Sequence, residues 1–154
     1  MEGARRATRA DLPELERLAA EAAAEYRAIK GGELWARREA RPEPYRPSLE
    51  AQLAADDAIV VVGTIDDVVV GYAAAGVEVL RDGFRLARIS ELFVEEPARA
   101  VSVGEVMMDA VLEWCREQGC GGVDALVLPG HRQAKNFFER FGLTARAIVV
   151  HRSL

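Results

Sequence analysis

The stretch from Arg88 to Gly119 constrains the fold more than any other part of the chain. It opens on Ile89 to Val94, a β-branched and aromatic run that predicts a strand. It closes on Val103, Val106, Met107, Ala110, Val111, Trp114 and Cys115, where apolar residues recur at helical intervals without a slip. That pattern predicts an amphipathic helix over Val103 to Arg116 with one buried stripe. Between strand and helix lies a turn, Glu95 to Ser102, carrying Pro97 and Arg99. A helix that starts here points unpaired backbone N–H groups, and the positive end of its macrodipole, at whatever sits in front of it. The turn is therefore a candidate phosphate seat to which Arg99 can add a charge. A plainer reading stands beside it: Ser102-Val103-Gly104-Glu105 spells a capping box that would satisfy the helix's first donors internally. Glu95 and Glu96 read as solvated turn residues.

The 154 residues fit a single domain, 1–154, large enough to bury about two-thirds of its unfolded surface. Half of them are hydrophobic and 29% charged, a globular composition, and a formal charge of -5 argues against general nucleic-acid binding. Cys115, Cys120, His131 and His151 match no zinc spacing, so no metal site is expected. No apolar run approaches the ~18 residues of a membrane span, and the first residues lack the apolar core of a signal peptide. With only two cysteines, these features point to a cytoplasmic protein with reduced thiols and no membrane partner.

Taken in order, Ala4 to Thr8 can form an edge strand, and Asp11 with Pro13 opens a helix whose face is Leu12, Leu15, Leu18, Ala19, Ala22, Tyr26 and Ile29. Gly31 and Gly32 end it. The Arg- and Pro-rich run that follows, with Trp35 and Tyr45, reads as a loop or short helix leading to a second helix from Ser48 to about Ala55. Its Arg37, Arg38, Arg41 and Arg46 read either as a solvated face or as a selector for an acidic ligand. An antiparallel meander comes next: Ala58 to Ile65, a turn at Asp66-Asp67, Val68 to Leu80, a turn at Arg81-Asp82-Gly83, and Phe84 to Val94. After the long helix, Val123 to Leu128 predicts a strand parallel to Ile89–Val94. A helix with Ala134, Phe137, Phe138 and Phe141 on its core face follows, then a last strand, Thr144 to Arg152. The expected fold class is α/β (α+β), a mixed sheet with an antiparallel first half and one parallel strand-helix-strand crossover. In such sheets ligands sit where neighbouring connections diverge, here the turn before Val103.

Two segments together resemble the cofactor motifs of the GNAT superfamily of acyl-CoA N-acyltransferases. Arg99-Ala100-Val101-Ser102-Val103-Gly104 is similar to the family's pyrophosphate loop, Q/R-x-x-G-x-G/A, at its first and last positions, with Ser102 where glycine is usual. His131 to Leu143 is similar to N-x-x-A-x-x-F-Y-x-x-x-G-F, keeping Ala134, Phe137 and Gly142. The order of elements agrees over essentially the whole chain. The resemblance implies acetyl-CoA as cosubstrate, with Leu92, Phe93 and Val94 offering backbone groups to the pantetheine arm and Arg99, Ala100, Val101, Ser102, Val103 and Gly104 cradling the pyrophosphate. It puts His131 where an asparagine usually touches the cofactor, able to donate one hydrogen bond. Phe138 stands where many relatives place a tyrosine that protonates the leaving thiolate, help worth about 10² to 10⁴ in rate.

Glu91 is the candidate catalytic base. Strand alternation puts it on one face with Ala87, Ile89 and Phe93, among apolar neighbours that would favour its taking a proton from an ammonium substrate. Its plainer reading is a strand-end glutamate facing solvent or paired with an arginine. The leading functional expectation is an acetyl-CoA-dependent N-acetyltransferase in which a small-molecule or peptide amine attacks the thioester directly, since no Cys-His nucleophile pair is evident. A non-catalytic CoA-binding module and a partner-binding domain with a closed pocket are the alternatives. Homodimers are common among proteins that this chain resembles, and the sequence leaves its oligomeric state open.

Overall fold

The computed structural model describes all 154 residues. Strand β1 (Glu2–Arg6) and a 3-10 turn at Arg9–Asp11 lead into α1 (Leu12–Arg27), α2 (Gly32–Arg38) and α3 (Arg46–Ala54). The meander β2 (Ala58–Ile65), β3 (Val68–Val79) and β4 (Arg85–Val94) follows, then α4 (Val103–Glu117), β5 (Gly122–Ala125) and α5 (Arg132–Arg140). The five strands form one sheet in the order β1-β2-β3-β4-β5, antiparallel until the β4–β5 pair, which is parallel and joined through α4. The β2–β3 turn is the two-residue type that keeps both central residues left-handed, with φ 47° at Asp66 and 69° at Asp67.

The middle of the sheet is covered on both faces, which is why β2 reads as an unbroken apolar run rather than an alternation. Ile59, Val61, Ala73, Ala75, Ala87 and Ile89 pack on one side against Val103, Met107, Val111 and Trp114 of α4. Val60, Val62, Tyr72, Ala74 and Phe93 pack on the other against Leu12, Leu15 and Leu18 of α1 and Leu49 of α3. Gly63 lets α4 lie close on the sheet: a Cβ there would stand 2.5 Å from Val103 Cγ1 and 2.7 Å from Met107 Sδ. The buried face of α4 is wider than the expected stripe and includes Met108.

Two strand expectations are corrected. The strand expected over Val123 to Leu128 is Gly122–Ala125, because its pairing stops at Ile89↔Ala125. Past that pair β4 bulges: Ala75 faces Ile89 and Ala74 faces Glu91, so Ser90 is the extra residue and the strand turns away from β5. Thr144 to Arg152 forms no strand, since no backbone hydrogen bond involves a residue beyond Leu143.

Candidate active site

The parting of β4 from β5 opens a cavity of about 1120 Å³. Its cofactor-side wall carries Phe93, Val94, Arg99, Ala100, Val101 and Gly104. Its far wall carries Tyr26, Trp35, Arg38, Glu39, Arg88 and Glu91, and Leu128, His131 and Phe138 close it from the α5 side.

At the α4 end the capping box is not made. Ser102 is the N-cap residue, but its side chain bonds no backbone N–H, and Glu105 pairs with Arg140 at 3.2 Å. No acceptor takes the amides of Val103, Gly104 and Glu105, so the donors of the first turn face the cavity mouth unspent. That fits a pyrophosphate, which such a helix end binds through N–H groups and dipole together. Ser102 has φ -84°, a backbone that needs no glycine. Gly104 does matter, since a Cβ there would come within 3.1 Å of Phe137 Cε1. Arg99 lines the cavity but turns back from its mouth, donating to Val94 O at 2.7 Å and to Glu25 at 2.7 Å.

Beyond Ile89 the backbone of β4 has no strand opposite it on the β5 side; Phe93 is paired with Tyr72 of β3, and the carbonyls of Leu92 and Val94 accept from the Tyr26 hydroxyl and the Arg99 guanidinium. Tyr26 marks the middle of this opening. Its hydroxyl donates to Leu92 O at 3.1 Å, and its ring meets Trp35 and His131 edge-on, each at 5.2 Å. Burial pushes the Tyr26 phenol well above its usual range, so it keeps its proton and goes on donating to Leu92 O. Burial also pushes His131 below its usual range, which keeps the ring neutral at pH 7 with a single N–H to give. Phe138 is 8% exposed and packs with the α4 core, so position 138 presents no proton donor.

Glu91 lies on the cavity wall, but not in the expected surroundings. The bulge at Ser90 reverses the alternation, so Ala87 and Ile89 face α4 while Glu91 and Phe93 face α1. Instead of apolar neighbours, its carboxylate meets the guanidinium of Arg41, through Nη2 and through Nε at 3.4 Å, and accepts from the Tyr72 hydroxyl at 2.6 Å. The pair is nearly dry, with the Arg41 side chain 8% and the Glu91 side chain 14% exposed. Arg41 also donates to Ser48 Oγ at 3.0 Å and Gln52 Oε1 at 2.6 Å, tying the α2–α3 connection to β4. Desolvation, reinforced by Glu91, raises the Tyr72 phenol well above its usual range and keeps it a donor. Glu95, expected in solvent, binds Arg17 at 2.9 Å.

Arg41 and Tyr72 were not legible as site residues. Nothing local separates Arg41 from Arg37, Arg38 and Arg46. Tyr72 had a faint signal: in the run Val70 to Gly76 it is the one large side chain among glycines and alanines, and its buried hydroxyl needs a partner.

A five-stranded mixed sheet that splays open before an uncapped helix N-terminus forms a ligand cleft with an anion seat at its mouth. The sequence profile of the acetyltransferase (GNAT) family matches residues 16–143, and the chain belongs to that family: it is an N-acetyltransferase with acetyl-CoA as cosubstrate. No curated protein sequence matches the chain. Among solved structures it is similar to a transcriptional regulator from Bacillus halodurans C-125 (17% identity, TM-score 0.75, all of both chains). It is also similar to the aminoglycoside acetyltransferase AAC(6')-Iy bound to a bisubstrate analog (18%, TM-score 0.77, 100% of this chain and 98% of that one). An aminoglycoside acetyltransferase from an uncultured soil metagenomic sample superposes at TM-score 0.74 with 21% identity, over 99% of this chain and 95% of that one. No helix is long and apolar enough to cross a membrane.

Proposed function

We propose that this acetyltransferase acetylates a primary amine by direct attack on the thioester, with Glu91 receiving the proton that the amine loses. The observation that carries the reading is the placement of the Glu91 carboxylate on the cavity wall where β4 parts from β5, across from the free amides of α4. Acetyl-CoA supplies an activated acyl carbon and a thiolate leaving group. The backbone of Leu92, Phe93 and Val94 aligns the pantetheine arm, the loop Arg99 to Gly104 holds the pyrophosphate, and His131 adds one N–H. The nitrogen–carbon bond forms as the carbon–sulfur bond breaks, and Glu91 takes the amine proton directly or through one water. Phe138 offers the departing sulfur no proton, and thiolate leaves without one. Neither cysteine lines the cavity, and burial pushes the Cys115 thiol up to about 11, which supports a route without a covalent enzyme intermediate. Two free thiols also suit a reducing, cytoplasmic setting.

The cavity's ion pairs leave no strong excess of either charge: on the acceptor side Arg38 pairs with Glu39, and toward the cofactor end Arg99 pairs with Glu25 and Arg140 with Glu105. The aminoglycoside enzymes among the structural neighbours make polycationic amino sugars the first acceptors to assay, alongside peptide N-termini and amines bearing an acidic group. Free CoA released from acetyl-CoA is measured against each amine, with wild type and Glu91→Gln. The variant is expected to lose about 10² to 10⁴ in kcat while its affinity for acetyl-CoA changes less than about threefold. An unchanged rate and pH profile would remove Glu91 from the proton path.

A further inference from the structure

The acceptor end of the cavity holds one charge that the chain leaves unanswered. Arg88 of β4 lies opposite Gly76 of β3 and Asp124 of β5. Its neighbours Ala87 and Ile89 face α4, so its side chain rises from the other face of the sheet, where Glu91 stands past the bulge. The other guanidiniums on the cavity wall are engaged, Arg38 by Glu39, Arg99 by Glu25 and Arg140 by Glu105. Arg88 lines the same cavity, exposed and with no ion pair or hydrogen bond inside the chain. The carboxylate beside it, Asp124, is gripped by two nitrogens of Arg146 instead.

The carboxylates of the cavity are disposed the other way. Glu25, Glu39, Glu91 and Glu105 each pair with an arginine. Glu96, the lining carboxylate without a pair, sits in the turn before α4, at the cofactor end. A polycationic acceptor reaching toward Glu91 therefore finds no free carboxylate for its further charges and meets Arg88 as a like charge. An acceptor with an anionic group of its own meets a free guanidinium, whose planar fork matches a carboxylate through two parallel bonds. One free cation suits a monoanion better than a phosphate dianion. Side chains that are neighbours on one face of a strand stand about 7 Å apart, a gap that a short chain of methylenes spans. Leu126, next after the Ile89–Ala125 pair, is 48% exposed and lines the cavity, giving those methylenes an apolar surface.

We propose that the acceptor is a small amino acid, and that Arg88 binds its carboxylate while its amine stands at Glu91. This rests on the amine acceptance proposed above and names the class of amine. Arg88 is then a specificity residue, which selects the acceptor and takes no part in moving the proton.

The test sets ω-amino acids against ω-amino alcohols and diamines of matched chain length, so that only the far group changes, from carboxylate to hydroxyl to ammonium. CoA release from acetyl-CoA is followed with each. Wild type is expected to favour the amino acid over the alcohol by about tenfold or more in kcat/KM, mostly through KM. Arg88→Gln is expected to bring that ratio close to unity, and Arg88→Lys to restore part of it, since lysine keeps the charge and loses the fork. Arg88 bonds nothing within the chain, so neither variant removes a contact that the fold needs. A wild type that prefers the alcohol or the diamine overturns the proposal and leaves the acetyltransferase reading standing. A preference for the amino acid that survives undiminished in Arg88→Gln overturns it too, assigning the anion to another residue. Release of CoA with none of the three removes the proposed amine acceptance, and this inference with it.

Discussion

At the cofactor wall the first amides of α4 are left without acceptors and Ser102 declines to cap them, whereas across the same cavity Arg41 and Tyr72 engage both carboxylate oxygens of Glu91. The difference follows from what each wall has to do. An uncapped helix end faces water when empty, so its donors stay solvated at little cost and remain ready for an anion. A nearly dry carboxylate has no such recourse and must be paired within the protein. One wall is built to be completed by a ligand. The other holds its carboxylate by hydrogen bonds from within the protein, and those bonds also fix the α2–α3 connection against β4.

The sharpest way to break this contrast is Arg41→Met. It strands Glu91 in a dry site with only Tyr72, and it is expected to cost about 3–5 kcal/mol in denaturant unfolding. Adding Glu91→Leu to Arg41→Met should return much of that loss while abolishing activity, because a buried pair removed whole costs far less than one removed by half. A strictly additive double variant would mean that the pair is not coupled as its geometry requires.

The cofactor wall is better probed by Gly63→Ala, remote from any ligand. The new Cβ pushes against Val103 and Met107, so α4 must shift or strain, at about 1–3 kcal/mol. Acetyl-CoA affinity is expected to fall with it, since the same helix presents the free amides. Isothermal titration on the folded variant reads the effect, and unchanged affinity would detach the cradle from the seating of α4.

The smallest effect concerns Asp11, which anchors α1, the helix that brings Tyr26 and Glu25 to the cavity. Its carboxylate accepts two bonds from Arg5 at 2.8 Å and one from Thr8 N at 2.8 Å, and the Arg5 bond above all holds it below the usual carboxylate range. A depressed carboxylate contributes stability that is present above its unfolded value near pH 4 and is lost as pH falls through the lower folded value. Asp11→Asn should therefore cost about 1 kcal/mol at pH 6 to 7, reduced because Arg5 is half exposed, and the gap to wild type should close below about pH 4. Urea titrations at pH 7 and pH 3 measure both ends. An equal cost at both would assign Asp11 a packing role alone.

What the sequence determined by itself is what neighbouring residues settle between them. The boundaries of β2 and the start of α4 were readable because apolar runs and helical periodicity are local, and α1 followed from its leucine and alanine stripe. The loop Arg99 to Gly104 and the opening beside Leu92 to Val94 were expected from motif order; Arg99, Ala100, Val101, Gly104 and Leu92 to Val94 line the cavity with His131 and Phe138, and Ser102 and Val103 do not. The face of Glu91 was not legible. One extra residue at Ser90 reverses the strand's alternation, and a bulge exists only in relation to the register of a paired strand. The partnership of Glu91 with Arg41, fifty residues away, depends likewise on how α2 and α3 fold back over the sheet. Residues 144–152 have every local mark of a strand and form none within this chain, because a strand is a property of two segments and the tertiary structure decides whether the second one is there.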